Sequence, residues 1–281
     1  MSNNEQELKL TDIARENDNE GKKTESIADI LRRNKEEQVG QIESFNFADI
    51  GYTEKEVEQN GKFRQALDQY IEESGDDPKK FLDSLAQQGI RVVENSSFLS
   101  SQQSTQQFLG RLTGRGESGI NALFATQDMV NNYISGDLLE NVKRELEDAL
   151  SSQGTIFLSK RPNPKSIFHE GSHAVQHLSG MDMDAKDEET KLRREIEVNT
   201  ALIHAKNTGK LGNVSRGEYR IGKGPFGETA TLGSNDIYQE VDYFLGNKAK
   251  LEKIILERRK TDDEKASASK IDKIREELRN L

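Results

Sequence analysis

The residues with the clearest chemistry are His169, Glu170 and His173, inside the stretch FHEGSHAVQHL (168–178). The chain has four histidines, and His169, His173 and His177 all fall within it. On a helix, His169 and His173 stand one turn apart and face the same way. Two neutral imidazoles so placed can bind one zinc ion, and Glu170 sits where it can take a proton from a water that the metal activates. The chain contains no cysteine, so any metal must be held by histidine and carboxylate.

A hydrolytic zinc site needs a third protein ligand and an open fourth position. His177 follows His169 by eight residues, which rotates it about 80° round a helix; packing or support of a ligand suits it better than ligation. Two glutamates compete on a following helix, LRREIEVNTALIHA (192–205). Glu195 shares a face with Leu192, Val198, Asn199, Leu202 and Ile203, whereas Glu197 shares one with Arg193, Arg194, Ala201 and His204. A ligand must point inward, so the apolar company favours Glu195.

The His-Glu-x-x-His element resembles the zincin family of zinc peptidases. The metzincin continuation is missing, because position 175 is Val and position 179 is Ser. Glu195-x-x-x-Asn199 is similar to the gluzincin E-x-x-x-D element, and the run EIEVN resembles that of ImmA/IrrE-type peptidases. The resemblance spans residues 166–205. It implies Zn2+ bound by His169, His173 and Glu195, with Asn199 hydrogen-bonding a ligating histidine. It further implies Glu170 as general base, and a donor to the developing oxyanion from Tyr219, Arg220 or Tyr238. Tyr219 is preferred for its Gly-rich setting. Val198 and Asn199 depart from the usual Ala and Asp of those families.

These side chains need elements to hold them. Phe63, Ala66, Leu67, Tyr70 and Ile71 recur at helical spacing, with Thr53-x-x-Glu56 as a capping box and Gly75 as the stop. Asp77-Pro78 opens a second helix with Phe81, Leu82 and Leu85, ending at Gly89. IRVV (90–93) and TIFL (155–158) read as strands. Helices are expected near Phe108–Leu112, from a cap at Ser118 over Ile120, Leu123, Phe124 and Val130, and from a cap at Asp137 to Leu150. The histidine helix begins near Ser166, and another runs from Thr190 to Lys206. Residues 212–227 read as an irregular Gly-containing segment, and Ser234 caps a short helix through Leu245. The fold class expected is α+β: a mostly helical zincin-like domain with a small sheet over 46–246. It is flanked by a polar, flexible tail (1–45) and a charged helical arm (247–281).

Hydrophobic and charged residues each make up 32% of the 281, and the net charge is −10. That acidity argues against a nucleic-acid surface. No apolar run approaches the roughly 20 residues of a membrane span, and the N-terminus lacks the basic-then-apolar order of a signal peptide. The functional expectation is a zinc endopeptidase acting on a protein or peptide substrate. It would be made in the cytoplasm and would suit delivery by a signal-independent route as a bacterial effector or toxin, or a phage-associated protease. The competing expectations are a non-catalytic protein presenting its C-terminal helix to a partner, and a regulatory peptidase of ImmA/IrrE kind.

Overall fold

The computed structural model describes residues 27–94, 96, 99, 121–133, 140–183, 187–211, 219–223, 229–232 and 237–279. Among them the chain is α+β and mostly helical, with a small three-stranded sheet.

Local signals account for the first elements. α1 (Ile27–Glu43) leads to a short 3-10 turn, Phe47–Ile50. α2 (Glu54–Ser74) opens on the Thr53 capping box: the Thr53 hydroxyl accepts from the Glu56 N–H at 3.3 Å, and the Glu56 carboxylate accepts from the Thr53 N–H at 2.7 Å. The two bonds satisfy donors that a helix start otherwise leaves bare. α3 (Pro78–Gln87) begins on the Asp77 carboxylate, which accepts from the Lys79 N–H at 2.9 Å. Phe63, Leu67, Ile71, Phe81 and Leu85 are fully buried where α2 and α3 meet.

Strand β3 (Thr155–Leu158) lies at the centre of the sheet, parallel to β1 (Arg91–Val93) and antiparallel to β2 (Ala122–Ala125). All four residues of β3 are buried, so Ile156, Phe157 and Leu158 run on without alternation, and the Thr155 hydroxyl is satisfied by donating to the Ala149 carbonyl at 3.0 Å. Gly154 enters β3 at φ +96°, and a Cβ there would lie 2.6 Å from the Phe124 ring. Beyond β2 come α4 (Gln127–Tyr133) and α5 (Glu140–Ala149). Next are α6 (Pro164–Leu178) and α7 (Glu188–Asn207), the hairpin β4 (Tyr219–Lys223) and β5 (Thr229–Leu232), and α8 (Ile237–Arg279).

Four expectations change. Leu123 and Phe124 lie on a strand, not on a helix running to Val130; ALFA is too short for periodicity to separate the two. Within 212–227, expected to be irregular, residues 219–223 form β4, which pairs with β5 just beyond that stretch. The 1–45 region is helical from Ile27, and Val39 and Ile42 are buried. The C-terminal helix crosses position 246 without a break and buries Val241, Phe244, Leu251 and Ile255 in one cluster with Leu192, Ile196 and Ile203 of α7. Leu256 is outside that cluster, and residues 257–267 are exposed. The helix expected over Phe108–Leu112 and the caps at Ser118, Asp137 and Ser234 lie outside the described residues. Among those residues no helix is long and apolar enough to cross a membrane.

Candidate metal centre

α6 carries the histidines. It starts at Asn163, whose side chain accepts from the Lys165 N–H at 3.0 Å, with Pro164 at the first helical position. Every residue from Ile167 to Gln176 is buried, so α6 threads between the sheet, α3 and α7. The Phe81 and Phe168 rings stack 4.8 Å apart and hold α3 against it. α7 starts at Asp187, whose carboxylate accepts from the Thr190 N–H at 2.8 Å and the Thr190 hydroxyl at 2.9 Å.

The crossing of these helices brings one ligand atom each from His169, His173 and Glu195 within 4.8 Å of one another. His169 Nε2 is 3.2 Å from Glu195 Oε2, and His173 Nε2 is 3.2 Å from Glu195 Oε1. Tetrahedral zinc with bonds near 2.0–2.2 Å requires ligand atoms about 3.3–3.5 Å apart; each imidazole stands close to that distance from one Glu195 oxygen, and two histidines with a carboxylate are a donor set that suits the ion. His169 and His173 are almost fully buried, while the Glu195 side chain keeps 21% of its exposure. Glu195 therefore lies on the open side of the cluster.

Burial opposes charge on both partners. For Glu195 the neighbouring His169 and His173 outweigh it and hold the carboxyl well below its ordinary range. For His173 burial is outweighed by the Glu195 hydrogen bond and charge, so its ring is held above the usual imidazole value. The pairing favours a proton on His173, and a metal ion would compete with it.

Glu170 is 4% exposed and points to the sheet, where its Oε2 accepts from the Phe124 N–H of β2 at 3.0 Å. β2 is an edge strand among the described residues. The buried base candidate and an edge of extended backbone therefore adjoin each other.

Glu197 points away from the histidines. Its carboxylate accepts from Arg194 Nη1 at 2.9 and 3.1 Å and from Gln176 Nε2 at 2.8 Å. Burial pushes its carboxyl upward despite Arg194 beside it. Gln176 in turn places Oε1 2.8 Å from His173 Nδ1. Sequence reasoning missed Gln176; its position one residue short of a turn after His173 was the available signal. It also missed Glu240 of α8, fully buried against Lys165 Nζ at 3.2 Å and Lys206 Nζ at 3.7 Å. Burial raises the Glu240 carboxyl, but Lys206, Lys165 and His169 together hold it below its usual value.

Asn199, His177 and His204 make no described contact with the His169–His173–Glu195 cluster. Asn199 is fully buried, and neither of its amide atoms hydrogen-bonds to a described residue, so the expected bond to a ligating histidine is not made. His177 packs on the Phe124 ring at 6.0 Å, and burial lowers its pKa. His204 faces Glu43 at 3.4 Å. Tyr219 and Arg220 fall on β4 and Tyr238 on the first turn of α8; their side chains lie outside the described residues. No family model, curated protein or solved structure matches this chain.

Proposed function

We propose that the chain is a zinc-dependent endopeptidase of zincin, gluzincin-like type, acting on a protein or peptide substrate. The observation that carries this reading is the convergence of His169, His173 and Glu195, each imidazole 3.2 Å from a Glu195 oxygen, with the buried Glu170 carboxylate on the same helix as the histidines. His169, His173 and Glu195 would hold the zinc. Once bound, zinc would act as a Lewis acid and bring the pKa of water toward about 7.

Glu170 receives the proton of the attacking water and passes it to the leaving amine. Its bond to the Phe124 N–H fixes the carboxylate plane. Burial of Glu170, His169 and His173 excludes bulk water from the proton path. Tyr219 on β4 is the proposed oxyanion donor. A setting as a secreted bacterial effector or phage-associated protease fits the same chemistry.

Glu170→Gln tests the reading. Incubation of wild type and variant with a proteome-derived peptide library, read by mass spectrometry, should yield new termini with wild type alone. The variant should bind zinc as wild type does. Equal cleavage by both, or none by zinc-loaded wild type, would favour a binding protein that uses its helices for partners.

A further inference from the structure

We infer that Gln176 is the positioning residue for His173: its side-chain carbonyl, oriented by Glu197, fixes the imidazole so that Nδ1 carries the proton and Nε2 faces Glu195. This rests on the metal reading of the His169–His173–Glu195 cluster.

The orientation of a glutamine amide is decided by its neighbours, since its oxygen and nitrogen are alike in shape. Here the neighbours decide it. The Gln176 nitrogen faces two acceptors, the Glu197 carboxylate at 2.8 Å and the Arg194 carbonyl at 3.2 Å. Its oxygen must then face His173 Nδ1, 2.8 Å away. An acceptor at that distance requires an N–H, so the Nδ1 position is protonated. The opposite nitrogen, Nε2, is the one left to face Glu195.

The chain of bonds continues outward. Glu197 is clamped by Arg194 at 2.9 Å, and Arg194 Nε donates to the Asp182 carbonyl at 3.1 Å. Gln176 is fully buried and Glu197 nearly so. Water therefore does not compete for the two inner bonds, Gln176 to His173 and Gln176 to Glu197, which reinforce each other away from solvent. The arrangement gives the two glutamates of EIEVN distinct roles. Glu195 faces the imidazoles, and Glu197 holds the residue that aims one of them. Partners that orient a ligating histidine typically contribute 10- to 100-fold to metal affinity.

The test compares zinc affinity of wild type, Gln176→Leu and Glu197→Gln by competition with a chromophoric chelator, alongside nitrogen-resolved NMR of the histidine side chains. Zinc affinity should fall about 10- to 100-fold in Gln176→Leu, with a smaller fall in Glu197→Gln, which keeps an acceptor but loses the charge. In zinc-loaded wild type, His173 should show a protonated Nδ1 protected from exchange, and that readout needs no variant to fold. Wild-type affinity in a folded Gln176→Leu, or a metal-bound Nδ1 at His173, overturns the inference while leaving the metal site standing. A wild type that binds no zinc overturns the site and this inference together.

Discussion

Gly171 lies between Glu170 and Ser172 in the middle of α6, where helix propensity alone favours replacing it. Alanine in a helix interior is better than glycine by about 0.8–1.0 kcal/mol. The structure argues for the opposite outcome. A Cβ on Gly171 would stand 2.3 Å from Phe81 Cε1, where ordinary contact begins at 3.4 Å, so α6 and α3 must separate by about an ångström. Phe81 cannot yield, because it is fully buried, stacked on Phe168 at 4.8 Å and edge-on to Tyr70 at 6.5 Å. Overpacking a filled core costs about 1–3 kcal/mol, and this rigid site belongs at the upper end. Net of the propensity gain, Gly171→Ala should lose about 2 kcal/mol. That corresponds to a melting temperature lower by about 4–8 °C. The assay is thermal and urea unfolding of metal-free wild type, Gly171→Ala, Phe81→Leu and the double variant. Phe81→Leu should make room, so the two changes together should be less harmful than their sum by about 1 kcal/mol or more. A Gly171→Ala protein more stable than wild type would show that the helices do not approach as described, and the argument would fail.

Replacing Glu240 by Leu leaves Lys165 and Lys206 without the buried carboxylate between them and should cost about 3–5 kcal/mol in urea unfolding; an unchanged midpoint would mean that this carboxylate is not buried as the structure has it. Leu251→Ala should lose about 2–5 kcal/mol because the side chain is fully buried, whereas Leu256→Ala, 54% exposed, should stay within about 0.5 kcal/mol; equal effects would contradict the packing of α8. The His173–Glu195 pair sets a pH signature in metal-free protein. His173 titrates above its ordinary value, so its contribution is full below about 6.5 and fades as pH rises through the shifted value. Glu195 titrates below its ordinary value, so its contribution is present above about 4.3 and fades as pH falls. The stability difference between wild type and Glu195→Gln, read from melts across pH, should therefore peak between those limits and shrink on either side.

The parts of the molecule governed by local chemistry were legible in the sequence. The Thr53–Glu56 box, the Asp77–Pro78 start and the TIFL strand all depend on neighbours within a few residues, and each lies where the pattern put it. Helical facing did not anticipate the burial of the two glutamates: Glu197 is the more deeply buried at 1%, held by Arg194 and Gln176, while Glu195, its side chain 21% exposed, is the one beside the histidines where α7 crosses α6. What local pattern could not supply was pairing across the chain. ALFA becomes a strand because β3 lies alongside it, not because four apolar residues dictate one. The burial of Glu240 is set by Lys165 on α6 and Lys206 on α7, and no local window around Glu240 reveals them. Charge density likewise made 247–281 read as exposed, although the sparse Leu251 and Ile255 suffice to seat the start of that stretch on α7. Asn199 is the reverse case, where the resemblance supplied a hydrogen bond that the packing of α7 does not make.

The central claim is tested most directly by the metal content of the purified protein, measured by inductively coupled plasma mass spectrometry in wild type, Glu195→Ala, Glu197→Ala and His177→Ala. The account predicts about one zinc per chain in wild type, its loss in Glu195→Ala, weakened retention in Glu197→Ala, and full retention in His177→Ala. Zinc that survives Glu195→Ala, or a wild type that takes up none after reconstitution, would contradict it.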